Sequence, residues 1–197
     1  MSRLRLPTDK TAPMSDEPTS LSRPISPLSS ALPPGPPPVD FHEHCLYAPD
    51  AWFVEHIDHV DAERVRVRSD TTKMGAFVAA QVVRRGHPKH VPGAVMVQLT
   101  GTLGSLHAVY GLGLRDHVGY GTNIRSARFP GLGRIGPPMW AEGRCARVRR
   151  LRGRVFTDYV FEYWQTANDQ EDGERTVIYT SEQSAIWMPG ELAETAT

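Results

Sequence analysis

Cysteine is scarce in this chain of 197 residues, and long apolar runs are absent from it. The two cysteines, Cys45 and Cys145, do not make a disulfide framework, so a reducing cytoplasm is the expected location. No stretch of about 18 consecutive apolar residues occurs, as a membrane-spanning helix would require. The N-terminal region also lacks the apolar core of a secretory signal. Neither export nor a membrane partner is therefore indicated.

An excess of charge of either sign is also missing. The chain carries 22 Lys and Arg residues against 22 Asp and Glu residues, which gives a formal net charge of zero. A protein that binds nucleic acid through its overall charge carries a basic excess. The composition therefore argues against nucleic acid as a partner.

The first forty residues differ in composition from the rest of the chain. They hold ten of the 17 prolines, end in LPPGPPPV and show no apolar periodicity. A segment of this kind buries too little apolar surface to offset the entropy lost on folding. We predict a disordered proline-rich tail over residues 1–40, a single domain over 41–190 and a short C-terminal tail over 191–197.

The stretch 87–112 predicts the element around which the domain is built. Its sequence, HPKHVPGAVMVQLTGTLGSLHAVYGL, contains no Asp, Glu, Lys or Arg after Val91. Pro92 favours a helix start, and the glycines at 111 and 113 favour a stop. At about 100° per residue, small residues share one face and large residues the opposite face. The small residues are Gly101, Gly104, Ser105 and Ala108, and the large ones are Leu99, Leu103, Leu106 and Tyr110. This pattern predicts one long helix that is buried on both faces.

Strand patterns lie on both sides of this helix. Before it, Val60 to Val67 alternates apolar and charged residues with the period of two that is typical of a half-buried strand. The segment 76–83 fits either a short strand or a helical turn. After the helix, four segments rich in β-branched and aromatic residues predict successive antiparallel strands. They are 123–129, 140–150, 154–165 and 176–188. The order predicts an α+β fold in which a curved antiparallel sheet wraps one long central helix.

Five side chains of metal-ligating type lie near the start of the domain. They are His42, His44, Cys45, His56 and His59. Their spacing matches neither C-x-x-C nor H-E-x-x-H, so surface histidines are a better interpretation than a zinc site. We predict no metal and no cofactor.

Two motifs resemble those of a known superfamily. PGAVMVQ, from Pro92 to Gln98, resembles the PG-x-x-x-x-E opening of the central helix in β-hydroxyacyl-ACP dehydratases. RFPGLGRIGPPM, at 128–139, resembles the strand corner that follows that helix. With the element order over 52–188, these motifs make the chain similar to hot-dog fold proteins, a superfamily of acyl-CoA and acyl-ACP thioesterases and dehydratases. The resemblance implies the hot-dog fold and an acyl-thioester substrate.

The sequence departs from the dehydratase pattern at both catalytic positions. The carboxylate position matches Gln98, and an amide cannot serve as a general acid or base near neutral pH. It can still orient a group or donate a hydrogen bond. The histidine position matches Arg84, although His87 and His90 lie just beyond it. Dehydration or hydration of a 3-hydroxyacyl thioester therefore becomes the alternative prediction.

The features that remain favour hydrolysis of the thioester. The backbone N–H groups of Gly93 and Ala94, at the positive end of the helix dipole, suit a carbonyl that becomes an oxyanion. Arg84 is a further candidate for binding substrate there. Gln98, one turn into the helix, is the candidate to bind the carbonyl or hold a water.

The candidate bases are the two histidines before the helix, since histidine is the common side chain whose ordinary pKa lies near neutrality. They are His90 and His87. Asp70, in the turn SDTTKMG, is the candidate carboxylate from a partner subunit. The competing interpretation is that Gln98 and His90 only satisfy backbone groups of the loop, in a non-catalytic module that binds acyl groups.

Arginines crowd the segment RCARVRRLRGR, which predicts a hairpin. Arg147, Arg149, Arg150 and Arg152 are candidate ligands for the phosphates of coenzyme A or for the acidic face of an acyl carrier protein. The alternative is a solvated edge whose charges discourage edge-to-edge pairing. The resemblance further implies a homodimer or a dimer of dimers whose sites use both subunits.

Overall fold

The computed structural model of the protein describes residues 32–190. Within this range the elements are, in chain order, β1 (His56–Val60), β2 (Arg64–Ser69), α1 (Gly75–Ala79), α2 (Gly93–Leu106), β3 (His117–Arg128), β4 (Met139–Leu151), β5 (Arg154–Thr166) and β6 (Arg175–Pro189). Short 3₁₀ turns occur at Val39–Glu43, Pro49–Ala51 and Thr71–Lys73, and a π-helical turn, His107–Gly111, follows α2. No helix in the described part has both the length and the apolar character needed to cross a bilayer.

The six strands form a single antiparallel sheet around α2. Their order across the sheet is β1-β2-β4-β5-β6-β3, and every neighbouring pair is antiparallel. The predicted α+β architecture, a curved antiparallel sheet around one long central helix, is confirmed.

The large face of α2 forms the centre of the core. Leu99, Leu103 and Leu106 are fully buried, as the pattern of large residues predicted. They share one apolar cluster with inward-facing strand residues such as Val67 and Phe161. Each fully buried leucine contributes about 1.5–3 kcal/mol relative to an exposed one, so this face anchors the helix to the sheet.

The ends of α2 differ from the prediction. The helix begins at Gly93, because Pro92 has an extended backbone, with ψ at 143°, and its carbonyl caps the first turn. After Leu106 the turn widens, and the Leu112 N–H bonds the His107 carbonyl at 2.9 Å. Gly111 lies so close to the β1–β2 turn that a Cβ there would be 2.2 Å from the Asp61 carbonyl oxygen.

The prediction of one strand over 60–67 was wrong. The Asp61 side chain accepts hydrogen bonds from the backbone N–H groups of Glu63 and Arg64, at 2.8 and 2.9 Å. This local bond turns the chain and divides the segment between β1 and β2, since an aspartate next to its own backbone competes with strand pairing. The ambiguous segment at 76–83 starts as the short helix α1.

Residues 1–31 and 191–197 of the two predicted tails lie outside the described residues. Residues 32–40 of the N-terminal tail lie within them, and two of these residues pair with β1. Leu32 and Gly35 bridge Val60 and Ile57 of β1, and the next apolar residue, Phe41, is fully buried. These contacts involve residues that precede the predicted boundary at residue 41.

The two ends of the sheet have different neighbours. At one end, which we call the helix-start end, the Val91 N–H bonds the Gly133 carbonyl, and the Arg134 N–H bonds the side chain of Gln165 near the end of β5. At the other, the hairpin end, β4 turns into β5, and Val155 packs with residues that follow α2. Val155 and Gln165 are ten positions apart, which corresponds to about 33 Å of strand.

Candidate functional site

The start of α2 leaves backbone donors without partners. Pro92, the N-cap residue, provides no side-chain hydrogen bond to the helix. Its carbonyl accepts from the N–H groups of Val95 and Met96, at 3.0 and 3.2 Å. Within residues 32–190 the N–H groups of Gly93 and Ala94 make no hydrogen bond. Together with the positive end of the helix dipole they are suited to a developing anion.

A cavity of about 550 Å³ opens at this helix start. Its lining combines the turn before α2 with the corner that follows β3, and includes His90, Gly93, Met96, Phe129 and Leu132. A Cβ at Gly93 would lie 3.0 Å from Cε1 of Phe129. Glycine at this position therefore permits the Phe129 ring to lie directly against the helix start.

His90 lies at the edge of this cavity with its backbone fixed. The Gln81 amide accepts from the His90 N–H at 3.1 Å and donates to the His90 carbonyl at 2.8 Å. Nδ1 of His90 is 3.2 Å from the Pro88 carbonyl oxygen. Since a carbonyl oxygen only accepts, this contact favours the tautomer with the proton on Nδ1, which leaves Nε2 able to accept a proton. His87 is exposed, with its ring centroid 5.1 Å from that of His90.

Gln98 has a buried amide with an unused donor. Its Nε2 is buried and has no hydrogen-bond partner within the described residues. A buried, unpartnered N–H costs about 1–3 kcal/mol, so such a group calls for an explanation by strain, water or a ligand. Gln98 follows Ala94 by four residues, so the two side chains lie on the same face of α2.

Of the residues predicted for the site at the start of α2, only His90 and Gly93 line this cavity, and Ala94, Gln98, His87, Asp70 and Arg84 do not. Asp70 caps the turn at Thr71–Lys73, and its carboxylate accepts from the Thr72 N–H at 2.9 Å and from Lys73 at 3.1 Å. The hydrogen bonds from Thr72 contribute most to lowering the pKa of Asp70, so it is ionised near neutral pH. Arg84 is exposed, and its backbone pairs with His87 in a tight turn.

The arginine segment forms the predicted hairpin, at the far end of the sheet from the start of α2. The four candidate arginines are exposed, although the backbone of β4 pairs with β5 beside them. They are Arg147, Arg149, Arg150 and Arg152. Arg152 and Gly153 form the turn, with φ values of 50° and 75°. Arg149 lies over the ring of Phe156, with 5.8 Å from Cζ to the ring centroid. Within one chain, these arginines are not near Gly93 or Gln98.

Sequence reasoning missed three features that bear on the site. Phe129 was recognised only as part of a motif, and its contact with Gly93 depends on how the corner after β3 folds back. The segment 39–52, which contacts α2, was given no role beyond a possible metal site. His107, predicted only as part of the helix, is fully buried. No local periodicity signals these contacts, because each joins residues far apart in the chain.

The histidines near the start of the domain do not converge. Within residues 32–190 no group of three or more His, Cys, Asp or Glu side chains is arranged to hold a metal ion. His56 and His59 instead pair with Asp58 and Asp61, at 2.9 and 2.7 Å.

Comparisons with known proteins identify the fold. No protein-family profile matches the sequence, and no curated protein matches it by sequence. The dehydratase heterocomplex ApeI:P from Xenorhabdus doucetiae matches 80% of this chain and 97% of its own, with 14% identity and a TM-score of 0.51.

Two further solved structures are similar. A hypothetical protein of Thermus thermophilus, described as a thioesterase superfamily member, has 16% identity over 69% of this chain and 88% of its own, with a TM-score of 0.49. A hypothetical thioesterase of Streptococcus pneumoniae, solved with coenzyme A, has 14% identity over 76% of this chain and 95% of its own, with a TM-score of 0.47. The similarity to the dehydratase heterocomplex and the six-stranded sheet around one helix show that this chain has the hot-dog fold.

Proposed function

We propose that the protein hydrolyses acyl thioesters at the start of α2. The observation that carries this proposal is the pair of free N–H groups at Gly93 and Ala94, with the unpartnered amide of Gln98 four residues further along α2. Donors that are fixed before the reaction stabilise negative charge as it develops, at no reorganisation cost. The thioester carbonyl oxygen would sit against the helix start.

The residues present can carry each step of hydrolysis. Nε2 of His90 accepts a proton from water as the water oxygen bonds to the carbonyl carbon. The two N–H groups stabilise the resulting oxyanion. As the carbonyl re-forms, the C–S bond breaks, and the thiolate leaves and takes up the proton from His90. Gln98 donates a hydrogen bond to the carbonyl or holds the water, since its amide cannot exchange the proton itself.

The dehydratase alternative lacks its acidic partner in this cavity. The described lining of the cavity contains His90 but no Asp or Glu, and Gln98 occupies the carboxylate position. A non-catalytic module that binds acyl groups is the stronger competitor, because the Phe129 ring covers Gly93 and restricts access to the free N–H groups. The two functions differ in whether free thiol is released.

We further propose that the protein works in the cytoplasm as a dimer of this chain or a dimer of dimers. Within the described residues, β3 pairs only with β6, so its outer edge is free, and Tyr120 and Ile124 on it are exposed. In a dimer, a twofold axis would pair the β3 strands of the two copies antiparallel. The helix-start end of one sheet would then lie next to the hairpin end of the other. The arginine hairpin of one copy would then lie at the same end as the start of α2 in the other.

That arrangement gives the arginines a role that a single chain does not allow. Arg147, Arg149, Arg150 and Arg152 would hold the phosphates of coenzyme A, or the acidic surface of a carrier protein, while the thioester occupies the other copy's site. Asp70 and Arg84 lie at the helix-start end and remain candidates for contacts between the two copies.

The test is an assay of acyl-CoA and 3-hydroxyacyl-CoA substrates for free thiol and for enoyl product. We expect thiol release, and we expect Gln98→Ala to lower turnover by about 100-fold, the scale of losing one oxyanion donor. His90→Ala should cost a similar or larger factor. Gln170→Ala, at an exposed glutamine between β5 and β6, is the control and should leave turnover unchanged.

Gln98→Glu separates the hypotheses. It should abolish hydrolysis if the amide is needed, whereas gain of enoyl hydration would support a dehydratase scaffold. The wild type could instead bind acyl-CoA without releasing thiol, with neither alanine variant changing that binding. This result would reject the enzyme and support the non-catalytic binding module.

A further inference from the structure

A second cavity lies deeper along α2, away from the helix start. It has a volume of about 220 Å³ and lies between the small-residue face of α2 and the strands β3, β5 and β6. An engineered apolar cavity of about 150 Å³ holds benzene, so by proportion this one holds about nine carbon atoms. Its walls include Gly101, Gly104, Gly119 and Trp187.

Four of the polar side chains that line this cavity have hydrogen-bond partners within the protein. The Thr100 hydroxyl donates to the Val97 carbonyl at 2.6 Å, and Thr100 and Gln183 are joined at 3.1 Å. Tyr159 bonds His107 at 2.9 Å, and the Ser184 hydroxyl donates to Asp158 at 2.6 Å. A ligand with many polar groups would have to break these bonds, which would leave buried groups unpaired. An apolar chain would not.

One wall of the cavity comes from the N-terminal strap, which we define as residues 39–52. Both of its ends are anchored. Phe41 and Trp52 are buried, with ring centroids 4.8 Å apart. Asp40 accepts from the Tyr110 hydroxyl at 2.8 Å and from Arg115 at 2.7 Å. The anchors hold the strap across the second half of α2 and the turn after it.

The middle of the strap places two apolar side chains at the cavity. Leu46 and Tyr47 line it, although their side chains remain 65% and 43% exposed. Nε1 of Trp52 donates to the Tyr47 carbonyl at 2.7 Å, which fixes the backbone there. A Cβ at Gly101 would lie 3.8 Å from Cε2 of Tyr47, so the tyrosine ring faces the helix across an ordinary van der Waals gap.

The cavity is within reach of the proposed thioester site. Ala94, Gln98, Gly101 and Ser105 recur at intervals of three and four residues, so they lie on one face of α2. At a rise of 1.5 Å per residue, Gly101 is about 10 Å along the axis from Ala94. An extended chain needs about eight or nine bonds to cover that distance, so an acyl chain whose carbonyl lies at the helix start enters the cavity beyond its eighth carbon atom.

We propose that Leu46 and Tyr47 of the N-terminal strap set the length of the acyl chain that the protein accepts. The assignment of the chain's carbonyl rests on the proposed function, while the cavity and the strap stand on their own contacts. The chain enters beside Gln98, passes Gly101 and ends against the two strap side chains.

The test measures binding separately from hydrolysis. Non-hydrolysable thioether analogues of butyryl-, octanoyl-, dodecanoyl-, palmitoyl- and arachidoyl-CoA are titrated into the full-length protein by calorimetry. Affinity should change little up to octanoyl, rise about fourfold for each further methylene that enters the cavity, and level off near palmitoyl. An affinity that does not depend on chain length would overturn the proposal.

Two variants change the cavity in opposite directions. Tyr47→Ala should extend the rise in affinity to arachidoyl, while Tyr47→Phe should leave the profile unchanged. Gly101→Leu should weaken palmitoyl binding by at least about tenfold, as expected for excluding two or more methylenes, and spare butyryl. Gly101→Ala is the control at the same position, because alanine improves helix propensity and adds little volume. The thermal midpoint of each variant is measured to check its stability.

The outcomes distinguish this proposal from the proposed function. The wild type could release thiol while neither Tyr47→Ala nor Gly101→Leu changes how affinity depends on chain length. This result would reject the role of the strap and support the thioesterase. Chain-length-dependent binding that follows both variants, without thiol release, would keep the strap and reject hydrolysis. If Gly101→Leu instead changes the oligomeric state and not the profile, the cavity is filled by a second copy and the proposal is wrong.

Discussion

His107 is a fully buried histidine at the point where α2 widens into a π-helical turn. Nδ1 lies 2.9 Å from the Tyr159 hydroxyl and Nε2 lies 3.2 Å from the Ala62 carbonyl oxygen. Because the carbonyl only accepts, Nε2 carries the proton, and Nδ1 accepts from Tyr159. Burial lowers the pKa of His107 and outweighs the opposing bond to Ala62.

His107 should therefore make the folded state sensitive to acid. A histidine whose folded pKa is lowered binds its proton more readily in the unfolded chain, so its contribution is lost as pH falls below the unfolded pKa of about 6.5. We expect the thermal midpoint to decrease as the pH is lowered from about 7.5 to about 5.5, a range of about two units around that pKa. His107→Gln, which cannot titrate there, should flatten this slope. An equal slope in both proteins would contradict the assignment.

Removing the His107 side chain should also destabilise the protein at neutral pH. His107→Ala leaves a cavity and strands the Tyr159 hydroxyl, so we expect a loss of about 2–4 kcal/mol in the free energy of unfolding. Urea denaturation measures it. His87→Ala is the matched control, since His87 is exposed, and it should change the free energy little.

Between β2 and β4, one buried carboxylate joins the two strands. The Glu142 side chain is only 5% exposed and accepts from Arg66 at 2.7 and 2.8 Å and from Arg144 at 2.5 Å. Burial opposes ionisation of Glu142, but the bonds from Arg144 and Arg66 outweigh it and lower its pKa. Its stabilising contribution is therefore present above the ordinary glutamate pKa and is lost as pH falls through the lower folded value.

Glu142→Gln should loosen this strand pair. Removing one member of a buried ion pair leaves the other charge uncompensated and costs about 3–5 kcal/mol. Because Arg66 is partly exposed and stays partly solvated, we expect a loss at the lower end of that range. The exposed Glu162, which pairs with Glu142 across β4 and β5, supplies the control Glu162→Gln. Equal denaturation midpoints for the two variants would show that Glu142 contributes no more than a surface charge.

The prediction for the oligomeric state of the protein depends on the free edge of β3. If two copies pair along it, the protein should behave as a dimer or a dimer of dimers in light scattering. A double variant, Tyr120→Lys with Ile124→Lys, should weaken association by at least about tenfold, because charge on an edge strand discourages pairing. Leu151→Lys, at the exposed hairpin tip, is the control. A monomeric wild type at micromolar concentration would remove the shared-site arrangement.

Truncation from the N-terminus tests where the domain starts. Deletion of residues 1–31 should leave the thermal midpoint nearly unchanged, because that segment is rich in proline and lacks apolar periodicity. Deletion through Asp40 removes the pairing of Leu32 and Gly35 with β1 and the bonds from Tyr110 and Arg115. We expect that longer deletion to lower the midpoint by several degrees, as a loss of about 1–2 kcal/mol does in a domain of this size. Equal midpoints would show that the strap needs no anchor at residue 40.

The sequence by itself determined the elements whose signals are local. The charge-free stretch after Val91 and its two opposed faces identified α2, and the β-branched and aromatic runs identified the last four strands. Helix and strand periodicities arise from side-chain directions within a few residues, so they are visible without the fold. The aspartate turn at Asp61 was also a local signal, and the alternation around it concealed it.

Only the tertiary structure decided which of these parts meet. It separated the arginine hairpin from the start of α2 by the length of the sheet, laid Phe129 against Gly93, and left the Gln98 amide buried without a partner. It also carried Leu46 and Tyr47 of the strap to the cavity along α2. These contacts join residues distant in sequence, and they follow from the pairing order of the strands and the closure of the core around one helix, which no short window of sequence encodes.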